Sequence, residues 1–138
     1  MRVFVDTNVF VYLFDAQDPT RQRRARDVVA GLARDKALVL SAQVLSELYV
    51  TVTRKLVEPL PPEQALRALA NLAVFPVVAV DAALVQRAAS RSASASISHW
   101  DALIVEAAIE AGADTVYSED LQAGSGYRGV TVVDPFAA

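Results

Sequence analysis

The sequence predicts an α/β fold, a single-domain three-layer sandwich in which helices flank a central, mostly parallel five-stranded sheet. Short apolar segments alternate with longer segments of helical periodicity, which is typical of a parallel sheet built from strand–helix units. The apolar segments are almost free of polar residues, as expected for strands that are buried on both faces. The chain has 138 residues, the length of one ordinary domain, and we expect residues 1–138 to form it.

Local patterns give the order of the elements. Pro19 in a first helical turn, Ser41 as an N-cap and Gly112 after a last turn mark helix ends. The predicted strands are 2–5, 38–40, 77–80, 115–117 and 130–133, and the predicted helices begin at 7–8 and cover 19–34, 41–55, 62–74, 81–93 and 98–112. A loop rich in glycine and serine is expected to separate the last two strands.

The composition is unusually apolar for a small protein. Hydrophobic residues make up 54% of the chain and the mean hydropathy is +0.31, which exceeds the needs of one core and predicts a subunit or partner interface. The nearly all-apolar segment 102–111 is expected to be buried in the core or at a dimer contact. No membrane span is expected, because the longest uncharged stretch, 68–80, is too short. The absence of cysteine, with Asp6 inside the apolar N-terminus, favours a cytoplasmic protein without a signal peptide.

The net charge of −3 argues at first against nucleic-acid binding, because phosphate contact needs positive charge. The objection weakens if carboxylates bind metal. Each Mg²⁺ ion adds two positive charges, so the net charge becomes −1 with one ion and +1 with two. Four arginines, Arg21, Arg23, Arg24 and Arg26, lie within six positions. They form either a solvated helix face or a patch that contacts phosphates.

Four carboxylates follow strand ends or lie near helix starts. Asp6 directly follows the first predicted strand, and Asp120 comes three residues after Tyr117. Asp101 and Glu47 lie in the first and second turns of their helices. Ligands bind at the carboxyl edge of a parallel sheet, so all four side chains can point into one crevice. Convergent carboxylates suit a hard cation such as Mg²⁺, and helix N-termini favour their ionised form.

Each of these residues also has a structural explanation. Asp101 fits a capping box with Ser98, in which its side chain bonds back to the cap. Glu47 lies on a polar helix stripe that a solvated face would also show. The only histidine, His99, stands beside a tryptophan and is better explained by packing than by catalysis. Zinc hydrolysis is therefore poorly supported, and the sequence around 124–126 is not a phosphate-binding loop.

Four segments in this order resemble the PIN-domain nucleases, and specifically the VapC-like ribonuclease toxins of type II toxin–antitoxin modules. The segments are Val3-Phe-Val-Asp6-Thr-Asn8-Val-Phe, Ser41-Ala-Gln-Val-Leu-Ser-Glu47-Leu, Ser98-His-Trp-Asp101-Ala-Leu-Ile and Val116-Tyr-Ser118-Glu-Asp120-Leu-Gln. No single segment is specific, but together they span nearly the whole chain.

The resemblance implies roles for these residues. Asp6, Glu47, Asp101 and Asp120 match the catalytic, metal-binding acidic quartet, and Asn8 and Ser118 match the polar positions that support it. Asp134 stands where relatives often have asparagine and is interpreted as structural. The resemblance also implies Mg²⁺ or Mn²⁺ as cofactor, RNA as substrate, a homodimer, and silencing by a cognate antitoxin.

The expected reaction is metal-assisted hydrolysis that leaves 5′-phosphate and 3′-hydroxyl ends. Asp6, Asp101 and Asp120 are expected to bind metal, and Glu47 either binds a second ion or orients the attacking water. A PIN domain that serves as a non-catalytic RNA- or protein-binding scaffold is the main alternative. An aspartate-phosphorylating enzyme and a DNA nuclease of related fold are weaker alternatives, since Asn8 stands where the former usually has aspartate.

Overall fold

The structure is a computed structural model that describes residues 1–122 and 127–137. It contains the predicted alternation of strands and helices. The elements are β1 (Val3–Val5), α1 (Thr7–Tyr12), α2 (Pro19–Arg34), β2 (Leu38–Ser41), α3 (Ala42–Arg54), α4 (Pro62–Leu72), β3 (Val77–Val78), α5 (Ala82–Ala95), α6 (His99–Glu110), β4 (Thr115–Tyr117) and β5 (Thr131–Val133). The Gly/Ser loop predicted before β5 falls largely on residues 123–126, outside the described residues.

The five strands form one sheet in the order β3-β2-β1-β4-β5, and every pair is parallel. β1 lies at its centre, and all three of its residues are fully buried because helices cover both faces. Chain segments that leave β1 and β4 therefore emerge side by side at the carboxyl edge. A backbone hydrogen bond from Asp6 N to Tyr117 O, 2.9 Å long, joins them there.

Helix α6 is the most buried helix, as its apolar sequence predicts. Residues 102–108 are all buried, including Glu106. Arg91 forms an ion pair with Glu106, and Arg87 lies 3.6 Å from the same carboxylate. These partners compensate the buried charge and hold α6 against α5. Gly112 ends the helix with φ +76, and Ala113 N donates to Ala108 O over 2.9 Å, which is a Schellman motif.

The predicted boundaries agree with the structure to within two residues, and two of the differences have a clear cause. The strand predicted at 77–80 ends at Val78, because β2, its only partner, ends at Ser41 in the register Ser41–Val78. The helix predicted at 81–93 continues to Ala95, where Ser96 adopts a left-handed conformation with φ 56. None of the described helices is both long and apolar enough to cross a bilayer.

Candidate active site

Asp6 is the buried centre of the candidate site. It caps α1 directly after β1, with only 8% of its surface exposed. Its carboxylate accepts hydrogen bonds from Thr7 N over 2.7 Å and from Ser118 Oγ over 2.8 Å. Burial above all, with smaller contributions from the nearby carboxylates Glu47 and Asp120, raises the pKa of Asp6 to about 6 against the lowering effect of these two bonds.

Asn8 and Ser118 connect Asp6 to Asp120. The amide nitrogen of Asn8 lies 3.2 Å from Asp120 Oδ2 and 3.4 Å from Asp6 Oδ2, and its oxygen accepts from Glu119 N over 3.0 Å. Ser118 Oγ donates to Asp6 and accepts from Asp120 N over 3.2 Å. We call Asp6, Asn8, Ser118 and Asp120 the hydrogen-bonded frame. It fixes the two strand-end segments relative to each other.

Glu47 approaches the frame from α3. Ser41 caps this helix as predicted, accepting from Val44 N over 3.3 Å, and the cap sets Glu47 in the second turn. The exposed Glu47 carboxylate accepts from Thr7 Oγ1 over 2.8 Å. Gln43 Nε2 lies 3.5 Å from its other oxygen, at the limit of a hydrogen bond. Glu47 therefore lies toward the site and is not merely part of a solvated stripe.

Asp101 reaches the same region from the first turn of α6. Ser98 Oγ accepts from Asp101 N over 3.0 Å, which is one half of the predicted capping box. The reciprocal half does not form: in residues 1–122 and 127–137 no hydrogen bond involves the Asp101 carboxylate. The side chain lines the groove instead, so the alternative explanation, in which it bonds back to the cap, does not hold.

The four carboxylates line one groove with a volume of about 650 Å³. Their donor set consists of oxygen atoms alone, which fits a hard divalent cation such as Mg²⁺ or Mn²⁺. Within the described part of the chain, no three Asp, Glu or His side chains stand close enough to hold one ion. Mg²⁺ usually binds through one or two carboxylates and keeps several waters, so the wider spacing still fits that ion.

The sequence model of the PIN domain matches residues 3–123. The chain belongs to the PIN domain family. No curated protein sequence gave a significant match. The family match covers all four carboxylates and both supporting residues, and β5 continues the same sheet beyond its end.

Solved structures share this PIN fold over nearly their whole length. The Mycobacterium tuberculosis toxin VapC20, which cleaves the sarcin–ricin loop, is 24% identical, with a TM-score of 0.72 over 94% of this chain and 98% of its own. FitAB bound to a DNA fragment is 21% identical, with a TM-score of 0.73, covering 99% of this chain and 96% of the other. A toxin–antitoxin complex from Klebsiella pneumoniae is 19% identical, with a TM-score of 0.72 and full coverage of both chains.

A second cluster of side chains, which the sequence analysis did not identify, lies beside the hydrogen-bonded frame and holds Glu119. Glu119, between two frame residues, accepts from Tyr12 Oη over 2.6 Å and from Arg21 Nε over 2.7 Å. The Arg21 guanidinium lies 5.7 Å from the Tyr12 ring centroid and 5.9 Å from that of Phe136. Burial and Glu119 raise the pKa of Tyr12 to about 12, so its hydroxyl remains a donor. Only the position of Glu119 within the matched segment hinted at this role.

The arginine cluster divides between structural and exposed members. Arg21 binds Glu119 and Asp18, and Arg24 Nε donates to Pro135 O over 2.8 Å. Arg23 and Arg26 are exposed on α2. The phosphate-patch hypothesis therefore retains only Arg23 and Arg26, whose side chains form no hydrogen bond or ion pair with the described residues.

The two remaining sequence interpretations concern residues outside the groove. His99 does not line it and packs edge-to-face against Trp100, with ring centroids 5.5 Å apart. Asp134 accepts from Phe136 N over 2.8 Å within a turn, as a structural residue would.

Proposed function

We propose that this PIN domain is a divalent-metal-dependent endoribonuclease that hydrolyses RNA to 5′-phosphate and 3′-hydroxyl ends. The observation that carries the proposal is the buried Asp6 carboxylate, held by Ser118 and Asn8 at the bottom of a groove that three further carboxylates line. A buried charge of this kind is costly unless a cation compensates it. The all-oxygen donor set selects a hard ion, with Mg²⁺ first and Mn²⁺ as a substitute.

The four carboxylates would have different roles, which we infer from the side chains that hold each of them. Asp6 and Asp120 would hold the ion, directly or through water, because Asn8 fixes both carboxylates from one amide group. Asp101, whose carboxylate makes no hydrogen bond among the described residues, would bind the same ion through water, since no three described carboxylates stand close enough to hold one ion directly. When bound, Mg²⁺ supplies Lewis-acid chemistry that activates water and neutralises charge developing on the phosphate. Glu47 orients the attacking water or contributes to a second ion; Thr7 positions its Oε1 in either role.

The proposal includes a biological context. We infer that the chain is a VapC-like toxin of the cytoplasm, that it forms a homodimer, and that a cognate antitoxin neutralises it. Support comes from the fold shared with VapC20 and with a toxin–antitoxin complex. Exposed large apolar side chains, among them Val57, Leu66 and Val74, supply surface for such contacts. The absence of cysteine suits a reducing compartment.

The test is RNA cleavage by purified protein with Mg²⁺, with EDTA, and with Asp6→Asn. We expect cleavage only for the wild type with the metal, and product ends that carry 5′-phosphate and 3′-hydroxyl groups. Asp27→Asn is the matched control, because Asp27 is an exposed aspartate on α2 outside the groove. Products with 2′,3′-cyclic phosphates would contradict the water mechanism.

A scaffold without catalysis is the second candidate, because no three described carboxylates converge on one point. The two functions differ in metal binding. Calorimetric titration with Mn²⁺ that gives no heat for the wild type would favour the scaffold. Binding that Asp6→Asn abolishes would favour the nuclease.

A further inference from the structure

A second cavity, with a volume of about 510 Å³, adjoins the carboxylate groove. Trp100, Val80 and Leu103 form its apolar wall. Gln43 and Glu47 line both spaces, as Trp100 also does, so the cavity opens directly beside the proposed reaction centre. Whatever lies in the groove has this apolar wall as its neighbour.

Trp100 lines both spaces at this junction. It is the only tryptophan in the chain and 65% of its surface is exposed, although it directly precedes Asp101 at the start of α6. Its one described aromatic neighbour is His99, which meets it edge-to-face. An exposed indole costs free energy in water unless a ligand covers it, and its flat face is a stacking surface.

Gln43 adds a second sign of a missing ligand at the same place. Its Nε2 donates to the carbonyl oxygen of Trp100 over 3.3 Å, which fixes the orientation of the amide. Its Oε1 is buried, and of the buried side-chain polar atoms in 1–122 and 127–137 it alone has no hydrogen-bond partner. Native structures usually satisfy such an acceptor, so an ordered water or a donor from a bound molecule is expected here.

We propose that Trp100 is the stacking platform for an unpaired RNA base adjacent to the scissile phosphate. This inference rests on the proposed ribonuclease function and names how its substrate is held. A phosphate in the carboxylate groove leaves its own or the next base beside the Trp100 wall, because the two spaces share residues. Single-stranded RNA is recognised mainly by stacking unpaired bases on aromatic rings, whereas paired bases have no free face.

The cavity fits a base better than a second protein chain. Trp100 and Val80 are its only large apolar side chains with substantial exposure. A stable protein interface covers about 800 Å² per partner, far more than this wall provides. The neighbouring Glu47 carboxylate also suits a flat, uncharged base bearing amino groups better than the apolar centre of a protein interface.

The single tryptophan makes the inference measurable by fluorescence without any cleavage. Wild-type protein with Mg²⁺ would be titrated with a short single-stranded RNA whose phosphorothioate linkages slow hydrolysis, and with the same RNA as a duplex. We expect the single strand to quench Trp100 emission and the duplex to leave it nearly unchanged. With labelled RNA, Trp100→Ala should weaken binding roughly 5- to 150-fold, and Trp100→Phe should restore most of it.

Val85→Ala is the matched control, since Val85 is also an exposed apolar residue, at 39%, but lies on α5 outside both cavities. Cleavage by the wild type without any quenching would overturn the platform and leave the ribonuclease intact. Quenching by RNA in a protein that never cleaves would support the platform and overturn the ribonuclease. Dissociation of a dimer by Trp100→Ala, with unchanged RNA affinity, would assign the ring to a contact between copies and overturn the inference.

Discussion

The two sides of the carboxylate groove are built in different ways. On the strand side, Asp6 is buried and shares a closed set of hydrogen bonds with Asn8, Ser118 and Asp120. On the helix side, Glu47 is exposed and Asp101 makes no described side-chain hydrogen bond. The strand side is therefore set before any ligand arrives, whereas on the helix side the Thr7 hydroxyl holds Glu47 and no described side-chain hydrogen bond holds Asp101. A site divided in this way fixes one ligand and lets others adapt to the ion and the substrate.

The strand side has an energetic cost. The pKa of Asp6 is about 6 in the fold and 3.8 ordinarily, a difference that corresponds to roughly 3 kcal/mol. Because the folded pKa is raised, protonated Asp6 favours the fold below pH 3.8, and that contribution disappears as the pH rises through about 6. At neutral pH the ionised carboxylate opposes folding until a cation binds.

The largest effect is expected from Asp6→Asn, which removes the charge at the centre of the frame. Activity should fall by more than the roughly 10- to 100-fold loss that a supporting partner causes. The metal-free variant should also lose the decline in stability between pH 4 and 6. Thermal denaturation between pH 4 and 6 measures this change in stability. Asp101→Asn is the comparison on the helix side: it should reduce activity but keep the wild-type dependence of stability on pH.

Removal of the Ser118 hydroxyl is expected to have the second largest effect. Ser118→Ala deletes the bond that lowers the pKa of Asp6 and leaves the Asp120 and Leu121 amides without their acceptor. Activity should fall roughly 10- to 100-fold, stability by about 1–3 kcal/mol, and the acidic limb of the rate profile should move to higher pH.

Ser118→Thr keeps the hydroxyl and should retain the wild-type profile. Ser98→Ala is the matched control, because it also removes a serine hydroxyl, in this case the N-cap of α6 on the helix side. That variant should lose about 1 kcal/mol of stability without any shift of the profile. If Ser118→Ala and Ser98→Ala shift the pH–rate profile equally, the hydrogen-bonded frame has no special control over the pKa of Asp6.

The wild-type rate should itself depend on pH in a defined direction. Metal binding needs ionised Asp6, so activity should be constant above about pH 7 and fall as the pH drops through about 6. The slope should approach tenfold per pH unit for one proton. Rates measured at saturating Mn²⁺ should show a lower apparent midpoint, because the cation competes with the proton. If Asp6 ionised with a midpoint near pH 4 in the metal-free protein, that result would contradict its buried state.

A smaller effect is expected from Arg21, which acts through Glu119. Arg21→Ala should lower kcat a few-fold, because Glu119 loses a charge-assisted hydrogen bond. Arg34→Ala is the matched control, an exposed arginine in the last turn of the same helix and outside the arginine cluster. A positioning role leaves the salt dependence of RNA binding unchanged. A reduced salt slope in Arg21→Ala would instead make Arg21 a phosphate contact.

The sequence supplied most of the fold and the positions of the carboxylates because both follow from local patterns. Alternating apolar segments and helices gave the parallel sheet, and the sheet brings the segments after β1 and β4 together. The bond between Glu119 and Arg21 joins residues 98 positions apart, so no local pattern revealed it.

Asp101 shows why the rest of the site could not be predicted. Ser98 and Asp101 satisfy the capping-box spacing, and a carboxylate at that position can bond back or point outward. Which of these two orientations the carboxylate adopts depends on the neighbouring groove, and the spacing of residues in the sequence carries no information about that groove. Gln43 is similar, since its unpaired oxygen results from how α3 meets α6.

The most direct test of the central claim is calorimetric titration of Mn²⁺ into the wild type and Asp6→Asn at pH 7.5 and at pH 5. The claim is that this groove binds a divalent cation through ionised Asp6. We expect binding by the wild type at pH 7.5, at least tenfold weaker binding at pH 5, and none by Asp6→Asn at either pH. Equal binding by both proteins, or binding that does not change between the two pH values, would contradict the account.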